Sequence, residues 1–199
     1  MSTHWSEHQE PLGSALTLIH SRQSTSSRFL GDPGPDHAQI ETILDTAGAA
    51  PDHRRLRPWR LLIVPAQKRP LLADAFAAAL GERDSQATAT QLAEAREKAY
   101  RGPLLVAVIA RLDPALGPVP APERLIAAGC AMQNMLLTAH AMGFGAGLLT
   151  GTSLYSRALQ QFCQLSDTEQ LLCFMAVGTP TKGKPATARP TMGDYTTTL

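Results

Sequence analysis

The run at residues 104–110, LLVAVIA, constrains the fold most. It is short, unbroken in apolar residues and β-branched at several positions, so it reads as a buried strand. Two further strands follow the same logic. Residues 60–64 form one, with the apolar run Leu61, Leu62, Ile63 and Val64 closed by Pro65, and residues 171–177 form another, ended by Gly178, Thr179 and Pro180. Helical spacing fills much of the rest. Short helices are expected at 15–20 and 155–162, and a longer one at 38–48 with Asp36 as its N-cap. Residues 67–80 carry Leu71, Leu72, Ala75, Phe76 and Leu80 on one face. Residues 85–100 are rich in Ala, Gln and Glu with little bulk, which suits an exposed helix lying over a site. Residues 123–142 are apolar almost all round, which places that helix at the centre of a core or in a subunit interface, with Gly143 as its C-cap. No internal repeat is visible.

The chain has 199 residues, enough for one domain with a sizeable core. Residues 1–14 read as a disordered terminus, 15–199 as a single domain, and 181–199 as a polar, extended tail that needs a surface to lie on, such as a partner subunit. A net charge of +1 gives no general field for nucleic acid or an anionic membrane. No apolar run approaches the roughly 20 residues of a bilayer span, and the N-terminus lacks the build of a secretory signal. The three cysteines, Cys130, Cys163 and Cys173, show no metal-ligand spacing and fit a cytoplasmic protein with buried thiols. No metal site is expected.

Three stretches carry candidate chemistry. Residues 49–64, AAPDHRRLRPWRLLIV, place Asp52, His53, Arg54, Arg55 and Arg57 on a loop between a helix and a strand, with Pro58 stiffening it. Such a loop holds cationic and hydrogen-bonding groups still beside an anion, although the same arginines also describe a solvated surface. Residues 21–30, SRQSTSSRFL, gather Arg22, Ser24, Ser26, Ser27 and Arg28, donors suited to a phosphate or simply a polar linker. Residues 142–153, MGFGAGLLTGTS, are glycine-rich, which lets backbone approach a ligand or a neighbouring helix. They follow a helix and lack the dinucleotide fingerprint, and no Gly-Lys-Ser/Thr marks a P-loop.

Taken together, Ala50–Pro51–Asp52–His53 followed by Pro58–Trp59, the Arg/Ser cluster and the terminal Gly-Thr-Pro resemble the nitroreductase family of FMN-dependent enzymes, most nearly its compact bacterial branch. The resemblance implies an α+β fold with a mostly antiparallel central sheet flanked by helices, in an intertwined homodimer whose tail wraps the partner. It implies FMN at the dimer interface, NADH or NADPH as donor, and nitroaromatic or quinone-like acceptors reduced by ping-pong hydride transfer. The flavin carries the chemistry, so no catalytic side chain is expected. The family's phosphate-binding Arg-Arg-Ser falls on Arg22, Gln23 and Ser24, with Gln23 replacing a cation. Its histidine falls on His53, with Arg54 and Arg57 as neighbouring candidates. Its flavin-bordering segment falls on Gly147, Leu148, Leu149, Thr150 and Gly151, where Leu148 and Leu149 replace Trp-Arg. Lys184 or Arg189 would supply a terminal cation. Two alternatives share these residues: a non-catalytic flavin-binding dimer, and another FMN chemistry on the same fold, such as dehalogenation or flavin destruction.

Overall fold

The computed structural model describes residues 9–183, 185 and 187–199. In chain order it contains α1 (Gln9–Ser21), the two-residue strand β1 (Leu30–Gly31), α2 (His37–Asp45), β2 (Trp59–Ile63), α3 (Arg69–Arg83), α4 (Ala89–Glu97), β3 (Leu104–Arg111), α5 (Ala121–Ala141), β4 (Gly145–Leu149), α6 (Arg157–Phe162) and β5 (Glu169–Pro180). Every strand pair is antiparallel: β2 with β3, β3 with β5, and β5 with both β4 and β1. Helices cover both faces of this sheet, so the architecture is the α+β arrangement that the family resemblance implies.

The double covering explains the apolar run of β3. Leu105, Ala107 and Ile109 enter one core with Leu72 and Phe76 of α3 and Leu159 of α6. Leu104, Val106 and Val108 enter a second core with Ile43 of α2 and Ala131 and Met135 of α5. Neighbouring strand residues face opposite sides, so a strand covered on both has no place for a polar residue until Arg111.

The helix ends follow local chemistry. Asp36 accepts from the Gln39 N–H and the Gln39 side chain accepts from the Asp36 N–H, each at 2.9 Å, closing a capping box on α2. At the end of α5, Gly143 takes φ +86°; its N–H donates to the His140 carbonyl and that of Phe144 to Ala139. That pair of bonds is a Schellman motif, for which glycine carries no steric cost.

Several expectations need correcting. Helix α1 starts at Gln9, so the stretch expected to be loose is helical from there; residues 1–8 lie outside the described residues. Leu71 is exposed rather than inward, and α3 instead buries Leu72, Ala73, Phe76, Ala77 and Ala79. Helix α5 is one-sided within the chain. Ala127, Ala128, Ala131, Met135 and Ala139 are buried while Ile126 is 66% exposed. The sequence reading also gives no strand at 145–149. The segment GAGLL has no β-branched residue, and β4 owes its conformation to its long neighbour β5.

Arg69 and Arg124 are both buried, without a carboxylate partner among the described residues. Arg124 donates to the carbonyls of Asp113 (2.6 Å), Gly117 (2.7 Å) and Val119 (2.8 Å), tying the proline-rich loop before α5 to that helix. Arg69 donates to Val64, Ala99, Gly102 and Pro103. Arg60 of β2 instead makes a two-pronged pair with Glu169 of β5, at 2.9 and 2.8 Å across β3.

Two outcomes follow from this packing. The bond from Arg60 holds the Glu169 carboxyl below the usual carboxylate range. A depressed folded value means stability that is present above the unfolded pKa, about 4.3, and is lost as pH falls through the folded value. Glu169→Gln therefore costs about 1.5–3 kcal/mol at pH 7, and the gap from the parent closes in acid, as urea midpoints across pH will show. Separately, the Thr25 N–H donates to the Ala146 carbonyl at 2.9 Å, and a Cβ on Gly147 would run into the Thr25 carbonyl oxygen. Gly147→Ala is expected to destabilise by roughly 1–3 kcal/mol in the same measurement.

Candidate functional site

Crossing residues 24–27 over β4 creates a cleft of about 520 Å³. Its floor and rim are Ser24, Thr25, Ser26 and Ser27 from the crossing segment, and Gly147, Leu148, Leu149 and Thr150 from β4 and the turn after it. Phe76 of α3 lies at its inner wall, and Lys98 and Arg101, which follow α4, supply two cations. The Lys98 ammonium sits over the Phe76 ring, 5.9 Å from its centroid. Gly151 adopts φ +124°, a backbone that glycine tolerates, and Ser153 and Leu154 beyond it also line the cleft.

Lys98 and Arg101 are the residues that sequence reasoning missed. They lie in the exposed-looking stretch 85–100 and just after it. The alanines there were the overlooked signal: Ala95 and Ala99 are buried, and their packing fixes which way the cations after α4 face. Neither cation has an ion pair or side-chain hydrogen bond among the described residues. Burial lowers the pKa of Lys98, and the nearby charges of Arg101 and Arg83 lower it further. Burial also lowers that of Arg101, with Arg28 adding to the effect and Glu97 opposing it. Half-buried, mutually repelling cations facing an open cleft are arranged to receive an anion.

The Asp52–Arg57 loop forms a different place. Asp52 accepts from the backbone N–H groups of Leu56 (3.0 Å) and Arg57 (2.7 Å). Between them the chain takes left-handed conformations at three arginines: Arg54 (φ 63°), Arg55 (φ 54°) and Arg57 (φ 47°). His53 Nδ1 lies 2.9 Å from Glu123 of α5. His53 lines a smaller hollow of about 180 Å³ with Asp52, Leu56 and Glu123. That hollow shares no lining residue with the 520 Å³ cleft.

The predicted residues thus divide. Ser24, Gly147, Leu148, Leu149 and Thr150 come together in the cleft. Arg22 and Gln23 immediately precede its rim without lining it, and the Gln23 side-chain oxygen is buried with no partner. Arg189 donates to the carbonyls of His20 and Arg22, so the tail returns to the end of α1 beside this segment. Lys184 lies outside the described residues. His53, Arg54 and Arg57 belong to the other loop. Cys163 and Cys173 take no part: burial pushes both thiols up to about 12, which leaves them protonated and inert. Among the described residues, no helix is long and apolar enough to cross a membrane.

Comparison with known proteins places the fold in a family. The model of the nitroreductase family matches residues 19–179. A Haemophilus influenzae protein provisionally named an NAD(P)H nitroreductase is 30% identical over 165 residues, covering 83% of this chain and 88% of that one. Among solved structures, the nitroreductase-like family protein of Bacillus cereus superposes with a TM-score of 0.80 at 21% identity, over 92% of this chain and 95% of its own. A protein of Desulfovibrio desulfuricans, provisionally named a nitroreductase and solved in complex with FMN, gives 0.69 at 24% identity, again over 92% and 95%. A family match across most of the length, with a relative at this identity and coverage, makes the chain a member of the nitroreductase family.

Proposed function

We propose that this chain is an FMN-dependent NAD(P)H oxidoreductase that acts on flat, electron-poor acceptors such as nitroaromatics and quinones. The observation that carries the reading is the cleft beneath residues 24–27, with hydroxyls on one side, backbone of β4 on the other, and the unpaired Lys98 and Arg101 at its wall. Its volume suits a small-molecule site, for which roughly 300–1,000 Å³ is usual. The donor set fits FMN. Serine and threonine hydroxyls and a guanidinium suit a phosphate. The name of the Haemophilus relative and the FMN complex of the Desulfovibrio protein point the same way.

FMN, when bound, takes a hydride from the nicotinamide donor and passes reducing equivalents to the second substrate. The chain supplies position and field. Lys98, half-buried at the wall, would stabilise negative charge developing on a bound aromatic heterocycle, and Arg101 would meet a phosphate. Leu148, partly exposed at the rim, offers an apolar edge where other family members carry tryptophan.

Homodimerisation belongs to the same reading. His53, Arg54 and Arg57 line no part of the cleft in their own chain, so a second copy is the natural source of this loop for the site. Leu12, Leu16 and Ile19 form an exposed apolar stripe along α1, and Ile126 stands exposed on α5. These faces suit an interface; the tail expected to wrap a partner instead lies, at Arg189, on the end of its own α1. Three free cysteines, two of them deeply buried, fit a cytoplasmic setting.

An anaerobic absorption spectrum before and after NADH or NADPH tests the activity. Flavin bands that bleach are expected; bands that persist would favour a binding role. Arg22→Ala is expected to weaken FMN by the value of one charge-assisted contact, about 1.5–3 kcal/mol, with apoprotein unfolding unchanged. An unaltered FMN dissociation constant would remove Arg22 from the site. Light scattering should return a dimer, and a flavin-holding monomer would overturn the interface.

A further inference from the structure

The cation cluster extends past the cleft. Arg101 is shared with a hollow of about 440 Å³ that also contains Ser27, Arg28, Tyr100, Glu94 and Glu97. Lys98 and Arg101 together join Arg28 and Arg83 in a further hollow of about 240 Å³. The larger hollow thus sets the guanidinium groups of Arg28 and Arg101 against the carboxylates of Glu94 and Glu97, and the smaller one sets four cations against Glu94. None of the four is ion-paired among the described residues. Arg83 donates to the Thr152 hydroxyl at 2.8 Å, while Arg28 makes no side-chain hydrogen bond. Tyr100, 52% exposed, presents an aromatic ring in the same hollow.

A single phosphate in the cleft would engage Arg101 and leave Arg28 and Tyr100 unused. Two guanidinium forks are matched by a diphosphate, whose adjacent oxyanions take charge-assisted, two-pronged bonds. An exposed tyrosine beside them offers a face to a purine, since base–aromatic stacking needs no particular base. A carboxylate-bearing acceptor would occupy one fork and leave the ring unused. Taking the flavin reading above as its basis, we propose that the annex bounded by Arg28, Tyr100 and Arg101 binds the adenosine diphosphate portion of the nicotinamide donor. The nicotinamide ring then reaches the cleft past Lys98. Glu94 and Glu97 serve as acceptors for ribose hydroxyls and repel dianions that lack them.

The test compares flavin-loaded parent, Arg28→Glu, Arg28→Lys and Tyr100→Ala with two donors. One is NADPH or NADH; the other is 1-benzyl-1,4-dihydronicotinamide, which lacks both phosphates and the purine. Arg28→Glu should raise the KM for the dinucleotides about tenfold or more, with Arg28→Lys recovering much of the loss. Flavin content and the rate with the benzyl donor should not change. Calorimetric titration with ADP should show binding to the parent that Arg28→Glu and Tyr100→Ala weaken. An unchanged dinucleotide KM, an equal loss with the benzyl donor, or a KM change confined to a carboxylated nitroaromatic acceptor would each overturn the proposal. Should the protein hold no flavin, the basis fails separately. ADP binding that depends on Arg28 would then still support the annex, and its absence would overturn it.

Discussion

Strand β5 is the member on which the rest depends. It is hydrogen-bonded to β3, β4 and β1, and from Cys173 to Gly178 it is buried. Phe174 and Ala176 face the α3 and α6 side, while Cys173, Met175 and Val177 face α2 and α5. Both cores are therefore anchored on one element. β4 is short, glycine-rich and poor in strand-forming residues, so its place is set by pairing with β5 rather than by its own preference. The cleft inherits its rigidity from that pairing, because its floor is the outer continuation of β4 and its roof is hydrogen-bonded to Ala146.

Arginine serves here in three distinct capacities. Arg69 and Arg124 are buried and saturated by carbonyls, where they act as multi-pronged backbone ties. Arg60 is matched to a carboxylate across the sheet. Among the described residues, Arg28 and Arg101 have neither arrangement. A guanidinium cannot shed its charge, so the unmatched ones define where an external anion is favoured. Counting arginines along the chain does not separate these uses. Only their surroundings do.

The sequence made the sheet largely readable. A run such as LLVAVIA can only be a buried strand, and Asp36 and Gly143 mark helix ends through backbone chemistry that is local and therefore visible. What it concealed was decided by tertiary neighbours. β4 lacks the residues that announce a strand, and Leu71 and Ile126 carry the right character for a core but fall on the outer side of their helices. At the site, Ser24 and residues 147–150 were legible through a family pattern. Lys98 and Arg101 were not, because a polar, alanine-rich segment gives no hint that its alanines pack and its cations turn inward. Arg124 was hidden within a helix that reads as apolar.

The loop at Asp52–Arg57 has a consequence of another kind. Arg54, Arg55 and Arg57 hold backbone angles that side-chain-bearing residues rarely adopt, at a cost on the order of 1–3 kcal/mol each. Two hydrogen bonds to the Asp52 carboxylate keep the segment in that shape, against the extended conformation that Pro58 favours for Arg57. Glycine would relieve the angles but would return the freedom they remove. The loop is thus already ordered before anything touches it. A surface that meets it, whether flavin edge or second subunit, finds the guanidinium groups on a frame whose entropy was surrendered during folding, and recognition there needs no further ordering of the chain.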